Sequence, residues 1–390
     1  MLKFLKLVML ISVFALSACS SITDLKDDLS ERMFGRESTE TPSDLNVIKT
    51  TANVKMLWSK HLGDNFDFDL TAVTDNGFVY AASANGELVK LNVNDGKQAW
   101  RINTGEPISG GVGFGGNLLL LGTSKGYVLA YDLSGKLLWK SKVSSQILSA
   151  PKADFGVVVV RCVDSRIFGL NVADGSRKWV YERATPALSL RSSAGVALDG
   201  GAAYAGFAGG KLIALRVEDG KVIWEVSVAQ PKGTTEIERI ADITSLPVVD
   251  GSLVYAVAYQ GKVAAIDRAS GRVAWARDIP SYTGLDAEDA KVYVSHSSSA
   301  IYALDYSTGK TFWRQGDLKE RRITAPLPMG SLIAVGDVEG YIHFLSREDG
   351  NFSARIQTEK SAIMPQMLAV GSRTLIAQTR KGGIYAISIK

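Results

Sequence analysis

The sequence predicts an all-β fold, an eight-bladed β-propeller of four-stranded antiparallel blades with its ring closed by an N-terminal strand joining the C-terminal blade. Three observations predict it. A unit running from Gly261 to Trp275 recurs at Gly86 to Trp100, Gly126 to Trp139, Ser165 to Trp179, Gly210 to Trp224 and Ser299 to Trp313, and in weakened form at Gly340 to Ala354. The copies follow one another at intervals of about 38 to 51 residues, each with room for four short strands. The last copy stops one strand short of a blade, while a strand with no blade before it, Met56 to His61, precedes the first copy.

Before the repeats lies a leader. Met1 to Ala18 carries Lys3 and Lys6, an apolar run from Leu7 to Leu16, then small residues, which is the layout of a signal peptide. The run is shorter than the roughly 20 residues that span a bilayer. Leu16-Ser17-Ala18-Cys19 resembles the bacterial lipobox, in which the cysteine becomes the first mature residue and is acylated. That resemblance implies a signal peptide over 1–18, a lipidated flexible tether over 19–50 and the propeller over 51–390. Ser20 after the cysteine implies the outer membrane, facing the periplasm, and more than one acyl chain makes such anchoring stable. With Cys19 acylated, Cys162 has no partner for an intramolecular disulfide, and its place in a valine run predicts a buried, inert thiol.

Blade structure follows from the turns. The fullest copy reads as Pro247-Val248-Val249, a turn at Asp250-Gly251, Leu253 to Tyr259, a turn at Gln260-Gly261, Lys262 to Asp267, a turn at Ser270-Gly271, and Arg272 to Ile279. Glycine supplies the positive φ that tight hairpin turns need. No part of the body carries a long helical period. Of the seven tryptophans, Trp100, Trp139, Trp179, Trp224, Trp275 and Trp313 end units and Trp58 lies on the orphan strand, so all seven are expected on outermost strands, wedged between blades. The blade with Ala354 in that place is expected to make the weakest junction.

The form Ala303 to Trp313, followed closely by Ala265 to Trp275 and Ala214 to Trp224, resembles the tryptophan-docking motif of pyrroloquinoline-quinone (PQQ) propellers. The resemblance covers nearly all of 56–390 and implies the fold, not an activity. The quinoprotein dehydrogenases of that group carry adjacent cysteines and a calcium site; here there are no adjacent cysteines and no compact ligand set. A lipobox, a short tether and a propeller without a cofactor site together resemble the BamB family, lipoproteins of the outer-membrane β-barrel assembly (BAM) machinery. That likeness implies a non-enzymatic scaffold, with no cofactor and no metal, that binds the periplasmic domains of BamA within the BAM complex. It also implies help in folding and inserting outer-membrane proteins, and the fold by itself suggests unfolded barrel chains as further partners, joined at blade edges by β-augmentation. The alternative function is a periplasmic PQQ-dependent oxidoreductase.

Binding is expected on loops held by the ring. The longest connections from an outer strand to the next inner strand run from Trp224 to Thr244, Trp179 to Ser192 and Trp58 to Thr71. Aligning Ser192 with Thr244 puts Leu190 and Asp242 side by side on neighbouring blades. On residues alone, Leu188 and Leu190 fit an exposed contact pair or the buried start of an inner strand. Leu188-Ser189-Leu190-Arg191 resembles the loop by which the BamB family meets BamA, which makes Leu188, Leu190 and Arg191 contact candidates. Asp242 matches the first member of the family's acidic pair, and Thr244 stands at the second.

Other signals exclude function classes. The net charge of +4, about +2 without Lys3 and Lys6, and the absence of a basic run argue against nucleic acid. Gly111 to Gly116 has the letters of a dinucleotide fingerprint, but a strand, Leu118 to Leu121, follows where a helix is needed. Asp64, Asp67 and Asp69 lack the bend glycine and closing glutamate of a calcium loop. His61, His296 and His343 fall in different blades.

Overall fold

Each blade is built from a sequence contrast. Its two middle strands are unbroken apolar runs, as in Leu118–Thr123 and Val157–Arg161, because both faces of the sheet are covered by neighbouring blades. The outermost strand alternates exposed residues with one buried tryptophan, as in Arg177–Tyr181 and Val273–Arg277. In the computed structural model, which describes residues 41–390 apart from 66, 67, 185 and 187, this contrast yields eight four-stranded antiparallel sheets. The leader, Cys19 and the first part of the tether lie outside the described residues.

Blades are numbered here in chain order from the sheet that begins at Val73–Asp75. Blades 1 to 7 each run inner to outer along the chain. Blade 8 takes Leu368–Val370, Thr374–Gln378 and Gly383–Ile389 from the C-terminal side, and its outermost strand is Val54–His61. That strand pairs antiparallel from Val54 opposite Ile389 to His61 opposite Gly383, with a bulge between Met56 and Trp58. The predicted closure is therefore the observed one, and it leaves no blade incomplete, so that only the short outer edges of the blades stay unpaired.

Tryptophan and glycine join the blades. The indole of Trp58 donates to Val93 O at 2.7 Å and lies on Gly96 of the next blade, where a Cβ would sit 2.7 Å from Trp58 Cδ2. Gly96 has φ +67° and no room for a side chain. The same pairing links Trp139 with Gly175, Trp179 with Gly220, Trp224 with Gly271, Trp275 with Gly309 and Trp313 with Gly350. Each repeat's glycine thus serves the tryptophan of the preceding blade. The joint of Trp100 with Gly135 is looser: a Cβ there would lie 3.5 Å from the indole, and the Trp100 N–H reaches Leu133 O at 3.2 Å. The cause is local. The turn over Gly135 closes from Asp132 O, three residues back, whereas that over Gly96 closes from Asn92 O, four back.

Residues 41–53 lie against blades 6 to 8. Ser43 N donates to Lys319 O at 3.1 Å, Leu45 packs on the apolar cluster around Trp313, and Thr51 N and Ala52 N both donate to Ser353 O, at 2.8 and 3.1 Å.

Candidate partner-binding loops

The connections from an outer strand to the next inner strand share one face of the ring with the turns between middle strands. Three of them meet around Leu190. The segment between Arg177–Tyr181 and Val196–Asp199 carries Leu188, Leu190 and Arg191, and the segment between Val222–Ser227 and Val248–Asp250 carries Asp242 and Thr244. Leu190 N donates to Asp242 Oδ2 at 2.7 Å, so the two aligned positions are indeed adjacent. Two residues on, Ser192 Oγ donates to Thr244 O at 3.2 Å.

Asp242 is only 4% exposed. Its other oxygen accepts from Gly209 N at 3.0 Å, and its own carbonyl accepts from Tyr259 N. Nearby, the Arg161 guanidinium donates to Ala194 O at 3.0 Å and stands 5.0 Å over the Phe207 ring. Burial pushes Arg161 down to about 10, with the Asp242 charge opposing. A buried carboxylate facing two main-chain donors, with a half-buried guanidinium nearby, is an ordering device: it fixes where the 188–191 loop lies.

That loop presents its side chains unequally. Leu188 is 44% exposed, Leu190 is half-buried and Arg191 is exposed. Arg191 Nη2 donates to Gln146 Oε1 at 3.3 Å, and its guanidinium lies 6.0 Å from the Phe68 ring. Phe68 belongs to the third long connection, between blades 8 and 1. Its neighbour Asp69 accepts from Ser193 Oγ at 2.8 Å and from Arg380 Nη2 at 3.3 Å. A connection from the closing blade thus reaches blade 4, on the far side of the ring.

Sequence reasoning placed Leu190 and Asp242 together but missed Arg161, Phe68 and Asp69. Arg161 had a signal, a lone charge ending the run Val157 to Val160. The meeting of Asp69 with Ser193 spans 124 positions and leaves no local pattern.

Among the described residues, no group of three or more His, Cys, Asp or Glu side chains is placed to hold a metal ion. Cys162 is buried, and burial pushes its thiol up to about 11, which disfavours the nucleophilic thiolate.

Known proteins resemble this chain along its whole length. The family profile described as outer membrane protein assembly factor BamB matches residues 50–108 and 84–315. The outer membrane protein assembly factor BamB of Nitrosomonas eutropha is 40% identical, covering 100% of this chain and 96% of its own. Its counterpart in Burkholderia pseudomallei is 36% identical, over 96% and 95%. Among solved structures, BamB from Moraxella catarrhalis matches with a TM-score of 0.79 at 28% identity, over 86% of this chain and 100% of that one. A quinohemoprotein alcohol dehydrogenase from Comamonas testosteroni matches at a TM-score of 0.70 with 13% identity, a likeness of fold alone.

Proposed function

The chain belongs to the BamB family of outer membrane protein assembly factors, and from that premise we propose that it is a non-enzymatic scaffold lipoprotein of the BAM complex. In this reading Cys19 carries the acyl chains that hold it at the outer membrane, facing the periplasm. It binds the periplasmic domains of BamA and assists the folding and insertion of outer-membrane proteins.

The observation that carries the reading is the bond from Leu190 N to Asp242 Oδ2. It fixes a loop that offers one exposed leucine, one half-buried leucine and an exposed arginine to a partner. Apolar anchors beside a charged fork are the usual chemistry of interface hot spots. Asp242 acts through position. Buried as it is, it holds Leu190 in place and leaves the touching to Leu188, Leu190 and Arg191. A loop ordered before binding avoids part of the entropic cost of association.

Affinity purification from detergent-solubilised membranes tests this. BamA is expected to copurify with the parent chain and to be depleted with Leu188→Ala, Leu190→Ala and Arg191→Ala, while each variant melts like the parent. Absence of BamA from the parent's eluate overturns the proposal.

A further inference from the structure

The outer edge of blade 7 has chemistry that the partner loops do not use. Its strand Phe352–Gln357 carries Ala354 where other blades carry tryptophan, and residues 41–53 lie along it. Two arginines grip that segment by its main chain. Arg321 Nη1 donates to Ser43 O at 2.6 Å and Arg355 Nη1 to Asn46 O at 3.1 Å. Ser353 O accepts from Thr51 N and Ala52 N.

Both arginines are held from behind. Arg321 is 1% exposed, with Nε on Asp337 Oδ2 at 2.7 Å and Nη2 on Glu339. Arg355 Nε donates to His343 Nδ1 at 3.0 Å, and His343 Nε2 meets Asp337 Oδ2 at 2.9 Å. This is a rigid donor pair aimed at main-chain carbonyls. Side chains of the docked segment contribute little, since Asp44, Asn46, Val47, Lys49 and Thr50 are exposed and only Leu45 and the small Ala52 pack against core clusters. A site that reads main-chain groups and two apolar side chains, one of them an alanine, is nearly indifferent to the rest of a sequence.

We propose that the edge of blade 7 is a docking slot for an extended, unfolded polypeptide read through its backbone, and that residues 41–53 occupy it as an intramolecular plug. The occupant already seated there defines the chemistry: an extended chain with a leucine-like side chain in the place of Leu45. Withdrawal of the plug leaves Arg321 Nη1 and Arg355 Nη1 without their carbonyls, so the slot offers a replacement chain two donors already aligned by their own partners. While the plug is in place, the apparent affinity for any other chain is reduced by the fraction of molecules that are open. The slot lies on blade 7, away from the loops around Leu190, and the inference stands or falls independently of binding to BamA.

The test uses the full-length chain and two fluorescent peptides, one of residues 41–53 and one of equal length and unrelated order that keeps only the leucine and alanine positions. Anisotropy titration is expected to give about tenfold tighter binding of both peptides to Leu45→Asp, whose plug is weakened, than to the parent. Adding Arg321→Met to Leu45→Asp is expected to abolish binding. In the parent, excess of either peptide is expected to speed amide exchange at Thr51 and Ala52, a readout that does not need the variants to fold. Failure of both peptides to bind Leu45→Asp with unchanged exchange in the parent overturns the slot. Binding of the 41–53 peptide alone overturns it as well, since the segment is then a strap specific to its own sequence.

Discussion

Val54 and Ala354 line the same cleft of about 400 Å³ at the junction of blades 7 and 8. They stand where every other junction has a glycine and a tryptophan. Val54 lies four residues before Trp58, as Gly96 lies four before Trp100, and Ala354 pairs with Phe344 as Trp313 pairs with Ala303. The outer strand of blade 8 comes from the other end of the chain, so no turn links it to Gly383–Ile389 and the glycine has no place. Without that glycine an indole has nowhere to lie, which accounts for the alanine.

A tryptophan restored at one side alone should therefore harm the ring. Ala354→Trp is expected to lower stability by about 1–3 kcal/mol, the ordinary cost of overpacking. Adding Val54→Gly should recover part of that loss, and a double-mutant cycle by urea denaturation reads the coupling. Stabilisation by Ala354→Trp on its own would show that the junction was merely empty.

The joints are graded. Trp139→Ala, which removes an indole packed tightly on Gly175, is expected to cost about 3–5 kcal/mol. Trp100→Ala should cost less, because its ring is more exposed and its contact with Gly135 is looser. Chemical denaturation of the two variants side by side checks the order.

The architecture was written in the repeat because every element of it is local: strand, turn glycine and tryptophan recur within one blade. Ring closure was legible too, from the orphan strand at Trp58 and the short last repeat. The partner of each joint was not, because the glycine four residues before a tryptophan serves the preceding blade. At the candidate site, aligning blades was enough to bring Leu190 to Asp242. The setting of Asp242 depends on Arg161 from a strand of another blade and on Gly209 from a turn of the neighbouring blade, which no spacing encodes.

Acid should loosen blade 7. Burial holds His343 below its ordinary 6.5, with Asp337 opposing and the Arg355 and Arg321 charges adding to the depression. The Asp337 carboxyl lies below its ordinary 3.8: burial alone would raise it, and the bonds to His343, Tyr341 N and Arg321 outweigh that. A buried neutral histidine binds fewer protons than the unfolded chain, so stability falls as pH drops below about 6.5 toward the folded value. A depressed aspartate adds a further loss as pH falls below 3.8 toward its own folded value. Denaturation midpoints followed from pH 7.5 downward should decline for the parent and decline less for His343→Gln over the first part of the range.

Removing the carboxylate that orders the loop should affect folding and binding together. Asp242→Ala leaves Leu190 N and Gly209 N without acceptors and Arg161 without its nearby counter-charge, at a cost of about 1–3 kcal/mol. Leu188→Ala, on an exposed side chain, should leave stability within about 0.5 kcal/mol of the parent. Thermal melts of the pair separate the positioning residue from the contact residue.

The most direct measurement is calorimetric titration of the purified chain with the isolated periplasmic domains of BamA. The parent is expected to bind, and Leu190→Ala and Arg191→Ala, melting normally, are each expected to weaken binding by about tenfold or more, equivalent to about 1.4 kcal/mol. No heat of binding with the parent, or equal affinity for all three proteins, would contradict the account.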